Sequence, residues 1–294
     1  MKKLKRNATV RLSKPHTPTK ELSNGLELNA TEAMQTCTFV CGSRGTGKSD
    51  TAMYIADQLK HEGINICVFD SSLDWIRRGS ISQYVTVQQY SRLEVPEQSM
   101  IFDISRLTPL QQQECVENFN RKLFEVQLNS DKWFYLVFEE AQLHFPLNSI
   151  RGKRFQNSAR ILTVGRNVGI SMCAISQFPA LIDKELIKNA QQIYIGCTAE
   201  PNTLAYWRGM LGSKTDKLKK LQNGQFLYYN RNKISEIEIQ PFQYTAPKTE
   251  IMSKVTQTTQ PSPKGTQTDY GALVKALVIS TIGLVWLWIQ FGGH

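Results

Sequence analysis

Gly42-Ser43-Arg44-Gly45-Thr46-Gly47-Lys48-Ser49 fills the pattern G-x-x-x-x-G-K-[ST] at every position. The run CTFVC ahead of it, residues 37–41, reads as a strand. SDTAMYIADQLK behind it, residues 49–60, has helical spacing. A strand, a glycine-rich loop and a helix in that order form a cradle for phosphate. The glycines let backbone N–H groups curl around phosphate oxygens, and the start of the helix adds partial positive charge. Lys48 is expected to reach the β- and γ-phosphates and the Ser49 hydroxyl to ligate Mg²⁺, which makes ATP and Mg²⁺ the expected cofactors. The plainer alternative, a chance glycine turn, would have to explain both flanks as well.

Working outward, short β-branched or aromatic runs alternate with helical stretches: TCTFVCG, INICVFD, SMIFDIS, WFYLVFEE, ISMCAISQ, QQIYIGC and GQFLYYN. Strands separated by helices imply a mostly parallel sheet with helices on both faces, a three-layer α/β body. No repeat of fixed period divides it, so residues 21–244 are expected to form one unit.

Two further features point to chemistry at the ends of these strands. Trp133–Gln142 is an apolar strand closing on adjacent carboxylates, Glu139 and Glu140. Glu139 stands where a carboxylate would hold Mg²⁺ through water, one methylene longer than the aspartate usual there, and Glu140 would polarise the attacking water. The alternative is a pair of solvated edge acids. Asp70 ends INICVFD ahead of the polar turn Ser71-Ser72-Leu73-Asp74, at the edge where ligands gather in open α/β sheets. Either it orients water or metal, or it caps the turn.

The chain has 294 residues, 41% hydrophobic and 20% charged, which excludes wholesale disorder and a collagen-like fibre. Its formal net charge is +10. Lys2, Lys3, Lys5, Arg6, Arg11, Lys14 and Lys20 precede the first acid, Glu21, so most of the excess sits in residues 1–20. Such an arm, broken by Pro15 and Pro18, fits a flexible strand on a polyanion, with DNA favoured over anionic lipid. Six cysteines without zinc spacing read as reduced and buried, in a cytosolic setting. Residues 245–270, rich in Thr, Gln, Pro and Ser, read as a flexible linker. Within residues 271–294, Ala272–Phe291 carries one charge, Lys275, over a length that suits one bilayer crossing, with Trp286 and Trp288 at the far interface. The lysines ahead of it place the body in the cytoplasm by the positive-inside rule, as a single-pass membrane protein in contact with lipid. A buried core helix is the alternative.

The run GRNVGISMCAISQFP, Gly165 to Pro179, follows the acid-ended strand and resembles the FtsK/HerA superfamily of DNA-pumping ATPases. The resemblance covers about Thr38 to Tyr229 and implies a RecA-like phosphate-loop fold. It implies that Gln177 senses the γ-phosphate, that Arg166 serves the ATPase site between subunits, and that Asp70 sits at the family's second-strand acid position. A surface cation paired with acids or DNA phosphates is the alternative for Arg166. The small domain resembles the genome-packaging ATPases of tailless icosahedral phages with an internal membrane. This implies double-stranded DNA as partner, a homo-oligomeric ring with a hexamer favoured, capsid or portal-vertex proteins, and a host or virion inner membrane. The alternatives are a Zot-like assembly ATPase of filamentous phages, whose relatives continue beyond the span, and a membrane-tethered nucleotide-binding scaffold.

Overall fold

The continuous apolar runs of the sequence become strands covered on both faces, as a parallel sheet between helical layers requires. In the computed structural model, residues 30–88, 93–149, 153–242, 244 and 247–251 are described. They all belong to one of the chain's two units, Met1–Ser253. The basic arm, residues 252–270 of the expected linker and the apolar segment Ala272–Phe291 lie outside the described residues. Among the described residues no helix is long and apolar enough to cross a membrane.

The elements run α1 (Ala30–Gln35), β1 (Cys37–Cys41), α2 (Lys48–His61), β2 (Asn65–Asp70), α3 (Asp74–Arg78), β3 (Gln83–Thr86), β4 (Met100–Asp103), α4 (Pro109–Gln127) and β5 (Phe134–Phe138). There follow α5 (Gln156–Val164), β6 (Ile170–Ser176), α6 (Lys184–Asn189), β7 (Ala190–Gly196), α7 (Pro201–Leu211), β8 (Gln225–Asn230), β9 (Lys233–Glu238) and β10 (Thr249–Glu250). The sheet order is β10-β3-β4-β2-β5-β6-β1-β7-β8-β9, parallel from β10 to β7, with β8 and β9 antiparallel. The α/β three-layer expectation holds, and β6 lies between the phosphate-loop strand β1 and the acid strand β5.

Alternate residues of each strand feed separate cores. Phe39, Cys67, Phe69, Leu136 and Phe138 pack with Phe119 and Leu123 of α4 and Trp207 of α7. Val40, Ile66, Val68, Tyr135 and Val137 pack on the opposite face with Met53 and Ile55 of α2 and Trp75 of α3. Phe69 stacks on Phe102 and Phe138 at centroid separations of 5.4 and 5.2 Å, a cluster worth about 0.5–1.5 kcal/mol per pair beyond area burial. None of the six cysteines forms a disulfide; Cys37, Cys41, Cys67, Cys115 and Cys173 are buried and Cys197 is half-buried. Burial pushes the Cys37 thiol up to about 12 and the Cys115 thiol to about 11.

Three strands escaped the sequence reading: β3, β9 and β10. The last corrects a boundary, because Thr249–Glu250 pairs in parallel with Gln83–Tyr84 inside the stretch assigned to the linker. Residues 247–251 therefore belong to the body. Two residues carry no periodicity, and the hydrogen bonds of Thr249 N–H to Ser82 O (2.9 Å) and Ile251 N–H to Tyr84 O (2.7 Å) come from the edge they join.

Candidate nucleotide site

The expected nucleotide-site residues, apart from Arg166, come to the carboxyl edge of the sheet. Gly42, Gly45 and Gly47 take φ of 148°, 82° and 90° between β1 and α2. At Gly42 a Cβ would meet Thr46 Oγ1 at 2.7 Å and the Gly196 backbone at 3.1 Å, so only glycine lets the loop pass that close to the end of β7. The loop is tied down by Ser43 N–H to Cys197 O (2.9 Å) and by Thr46 Oγ1 donating to Ser43 O (2.9 Å). Lys48 Nζ donates to Ser43 O at 2.9 Å, folded into the loop it is expected to leave for phosphate. Burial pulls the Lys48 pKa down, with Glu139, Cys41 and Glu140 acting in the other direction.

A cleft of about 350 Å³ opens beside the loop, within the size range of small-molecule sites. Gly47, Lys48 and Ser49 line one side, Arg78 another, and Gln240 and Pro241 the far wall. That wall is fixed to the loop through Gly224, whose N–H donates to Thr46 O (3.2 Å) and whose carbonyl accepts from Ile239 N–H (2.8 Å). Gly224 has φ 81°, and a Cβ there would fall 2.4 Å from Ile239 O. Arg78 bridges Asp50 (2.5 Å) and Asp74 (2.6 Å), while Asp50 also accepts from Phe242 N–H (2.8 Å). One guanidinium thus pairs with both acids beside the expected polyphosphate and offsets half of their charge.

Glu139 and Glu140 are neighbours with different surroundings. Glu139 is buried and accepts from the Trp75 indole N–H (2.8 Å), with the Ser49 side chain near enough to lower its pKa. Burial raises its pKa to about 7, opposed by the Trp75 hydrogen bond and reinforced by the Asp70 charge. Glu140 is half-buried with a left-handed backbone, φ 50° and ψ 52°. A non-glycine residue holds that conformation at a cost of order 1–3 kcal/mol, a form of strain that clusters at functional sites. Its Oε2 accepts from Gln142 Nε2 (2.5 Å), and Gln142 Oε1 in turn accepts from Ser176 Oγ (2.7 Å). Gln177 Nε2 reaches Glu140 Oε1 at 3.5 Å, so the expected γ-phosphate sensor and the expected water-polarising acid stand together.

Asp70 turns out to be occupied. Its Oδ1 accepts from Ser72 N–H (3.0 Å) and Ser72 Oγ (3.1 Å), and its Oδ2 from Trp75 N–H (3.0 Å) and Ile76 N–H (3.2 Å). Four donors leave no lone pair directed at a substrate, so the turn-capping alternative replaces the catalytic one. Arg166 lies before β6 and Gln177 after it, at opposite ends of a seven-residue strand roughly 20 Å long. It is exposed and makes no ion pair among the described residues. It cannot serve the site of its own chain. Arg160, also exposed, lies over the Phe124 ring at 3.6 Å.

Among the described residues no group of three or more His, Cys, Asp or Glu forms a cage for metal. The Ser49 hydroxyl and the nearby Glu139 carboxylate, both oxygen donors, nevertheless fit Mg²⁺, which favours hard oxygen donors and completes its shell with water and substrate phosphate. Sequence reasoning missed Trp75, Arg78, Gln142 and the 238–241 wall. Only Asn223-Gly224, a turn dipeptide, carried a local signal.

No family model matches the chain, and no curated protein matches it in sequence. Solved structures do match in shape. The DNA-packaging ATPase B204 from Sulfolobus turreted icosahedral virus is 21% identical with a TM-score of 0.53, over 70% of this chain and 98% of that one. VirB4 of Thermoanaerobacter pseudethanolicus is 11% identical with a TM-score of 0.51, over 72% and 90%. The bacterial conjugative coupling protein TrwBdeltaN70, solved with sulphate, is 8% identical with a TM-score of 0.59, over 79% and 92%. At these identities the likeness is one of fold, and the chain has the α/β phosphate-loop fold that these three proteins share.

Proposed function

We propose that this protein is an ATP-hydrolysing DNA translocase that packages double-stranded viral DNA and is anchored to a membrane through Ala272–Phe291. The observation that carries the reading is the meeting of Lys48, Ser49, Glu139, Glu140 and Gln177 at one sheet edge beside a cleft of about 350 Å³. Lys48 and the loop N–H groups bind the phosphates. Ser49 and Glu139 hold Mg²⁺, which when bound neutralises charge on the β- and γ-oxygens. Glu140 accepts a proton from the attacking water, and Gln177 reports the γ-phosphate to that acid. The genome packaging NTPase B204 from Sulfolobus turreted icosahedral virus 2, of the same fold, is crystallised with ATP-gammaS, which supports ATP as the nucleotide here.

Arg166, exposed at the opposite edge, acts on the site of a neighbouring copy in a ring, hexameric by preference, so that hydrolysis depends on assembly. Anionic lipid meets the anchor, and capsid or portal-vertex proteins receive the DNA. The body stands in the cytoplasm at a host or virion inner membrane.

The deciding experiment measures ATP turnover of the full chain in detergent with and without double-stranded DNA. DNA-stimulated turnover that Lys48→Ala abolishes is expected. Tight ATP binding with neither turnover nor a response to DNA would select a nucleotide-binding scaffold instead.

A further inference from the structure

Glu139 is held from a side the phosphate loop does not touch. The indole N–H of Trp75 donates to its Oε1 at 2.8 Å, and both side chains are buried. Trp75 rides on α3, only five residues long, and that helix is pinned at its start by the preceding turn and at its end by a distant part of the chain. At the start, Asp70 accepts from the N–H groups of Trp75 and Ile76, and Leu73 is held in left-handed backbone at φ 64°, a conformation that persists only where its surroundings enforce it.

At the other end the pin is Lys248. Its ammonium donates to the carbonyls of Gly79 and Ile81 at 2.6 Å each and reaches that of Trp75 at 3.4 Å. Those carbonyls close α3, and an ammonium has three donors to offer them. Lys248 immediately precedes β10, which adds to the sheet edge at β3. Lys60 satisfies the adjacent Ser80 carbonyl at 3.0 Å, so the turn after α3 is held by two lysines. A continuous line of contacts therefore runs from the C-terminal edge strand through Lys248, α3 and Trp75 to the acid read as the Mg²⁺ holder.

We propose that Trp75 is a positioning residue for Glu139, and that Lys248, by holding the end of α3, makes the orientation of that acid depend on the docking of residues 247–251. The proposal rests on the reading of Glu139 as the metal-holding acid. It ties the nucleotide site to the segment through which the chain continues beyond Ile251. A pull on that continuation acts first on Lys248 and then on the metal site, so load on the C-terminal segment weakens Mg²⁺ binding before it disturbs the phosphate loop.

The test uses the full chain in detergent and a fluorescent ATP analogue, titrated with Mg²⁺ and separately in EDTA. Trp75→Phe keeps an aromatic ring and removes the donor. It should raise the Mg²⁺ half-saturation about tenfold, the usual scale for losing a partner of a metal-holding group, with EDTA affinity unchanged and a lower melting temperature from the smaller buried side chain. Lys248→Met should shift the half-saturation in the same direction. The double variant should be no worse than Trp75→Phe, because both act along one line of contacts. If Lys248→Met does not fold, Lys248→Gln, which keeps two of the three donors on a shorter side chain, is read in its place.

A folded Lys248 variant with wild-type Mg²⁺ half-saturation overturns the link to the edge strand. The same result for Trp75→Phe overturns the positioning role, as does an equal loss of affinity in EDTA. A wild type whose nucleotide binding ignores Mg²⁺ overturns the reading of Glu139 itself, a failure visible before any variant is made.

Discussion

The two edges of one sheet are built on different terms. At the carboxyl edge, strained backbone and buried charge are concentrated in a few residues. Glu140 is left-handed, Glu139 and Asp70 are buried acids, and a bridging arginine offsets Asp50 and Asp74. At the amino edge the same strands begin beside a cleft of about 110 Å³ lined by Thr36, Arg166, Lys188 and Gln191, with Arg166 exposed and without an ion pair among the described residues. The contrast teaches that one edge is organised around charge paired within the described body, whereas Arg166 has no counter-charge among the described residues.

The sharpest way to break that contrast is to disable each edge in turn. Glu140→Gln should retain ATP binding and lose about 10²–10⁴-fold in turnover at every protein concentration, the range for a positioned general base. Arg166→Ala should also retain binding, but its loss should be shared between copies. Mixing Arg166→Ala with Lys48→Ala subunits should restore part of the turnover measured in steady state. No rescue at any ratio would mean that the arginine is structural.

A smaller effect is expected at the wall that joins the hairpin β8–β9 to the phosphate loop. Gly224→Ala combines positive φ with a Cβ 2.4 Å from Ile239 O, and should cost on the order of 1–3 kcal/mol. Because the Gly224 N–H donates to Thr46 O, the same variant should weaken nucleotide binding. Calorimetry with and without nucleotide checks both, and wild-type affinity in a destabilised variant would separate the wall from the site.

The smallest effect is in the pH dependence of the nucleotide-free protein. Glu139, raised from 4.5 to about 7, contributes stability present below pH 4.5 and lost as pH rises through 7. His144 is buried beside Phe138, at 5.6 Å between ring centroids, with neither ring nitrogen hydrogen-bonded among the described residues, and burial lowers it from 6.5 to about 4. Its contribution is present above pH 6.5 and lost as pH falls through 4. The two slopes oppose each other, so the wild type should be nearly flat between pH 4.5 and 6.5. Glu139→Gln should expose a melting temperature that rises with pH there, and His144→Phe one that falls. Parallel profiles for the two variants would contradict these assignments.

Much of the carboxyl edge was legible in the sequence because its residues are dictated by local geometry. The phosphate loop needs its glycines, and β1, β5 and β6 are apolar enough to be read as buried strands. The rest depends on contacts between distant segments. KISEIE of β9 is half charged because it is an edge strand, and its exposed carboxylates hide its period. Trp75 and Glu139 are 64 residues apart and Lys248 and Gly79 169 apart, separations at which no local pattern survives. Asp70 stayed ambiguous for the same reason: a strand-end acid looks alike in sequence whether its oxygens face a substrate or a turn.

The distribution of thiols has a practical consequence for chemistry from outside. The thiolate is the species that attacks, and five of the six cysteines are closed off inside the body. A maleimide or a disulfide reagent applied to the folded protein therefore meets Cys197 first, whose own carbonyl accepts the Ser43 N–H of the phosphate loop. A dye placed there needs no other cysteine removed. It would sit one hydrogen bond from the nucleotide cradle and brighten, dim or block as that cradle fills.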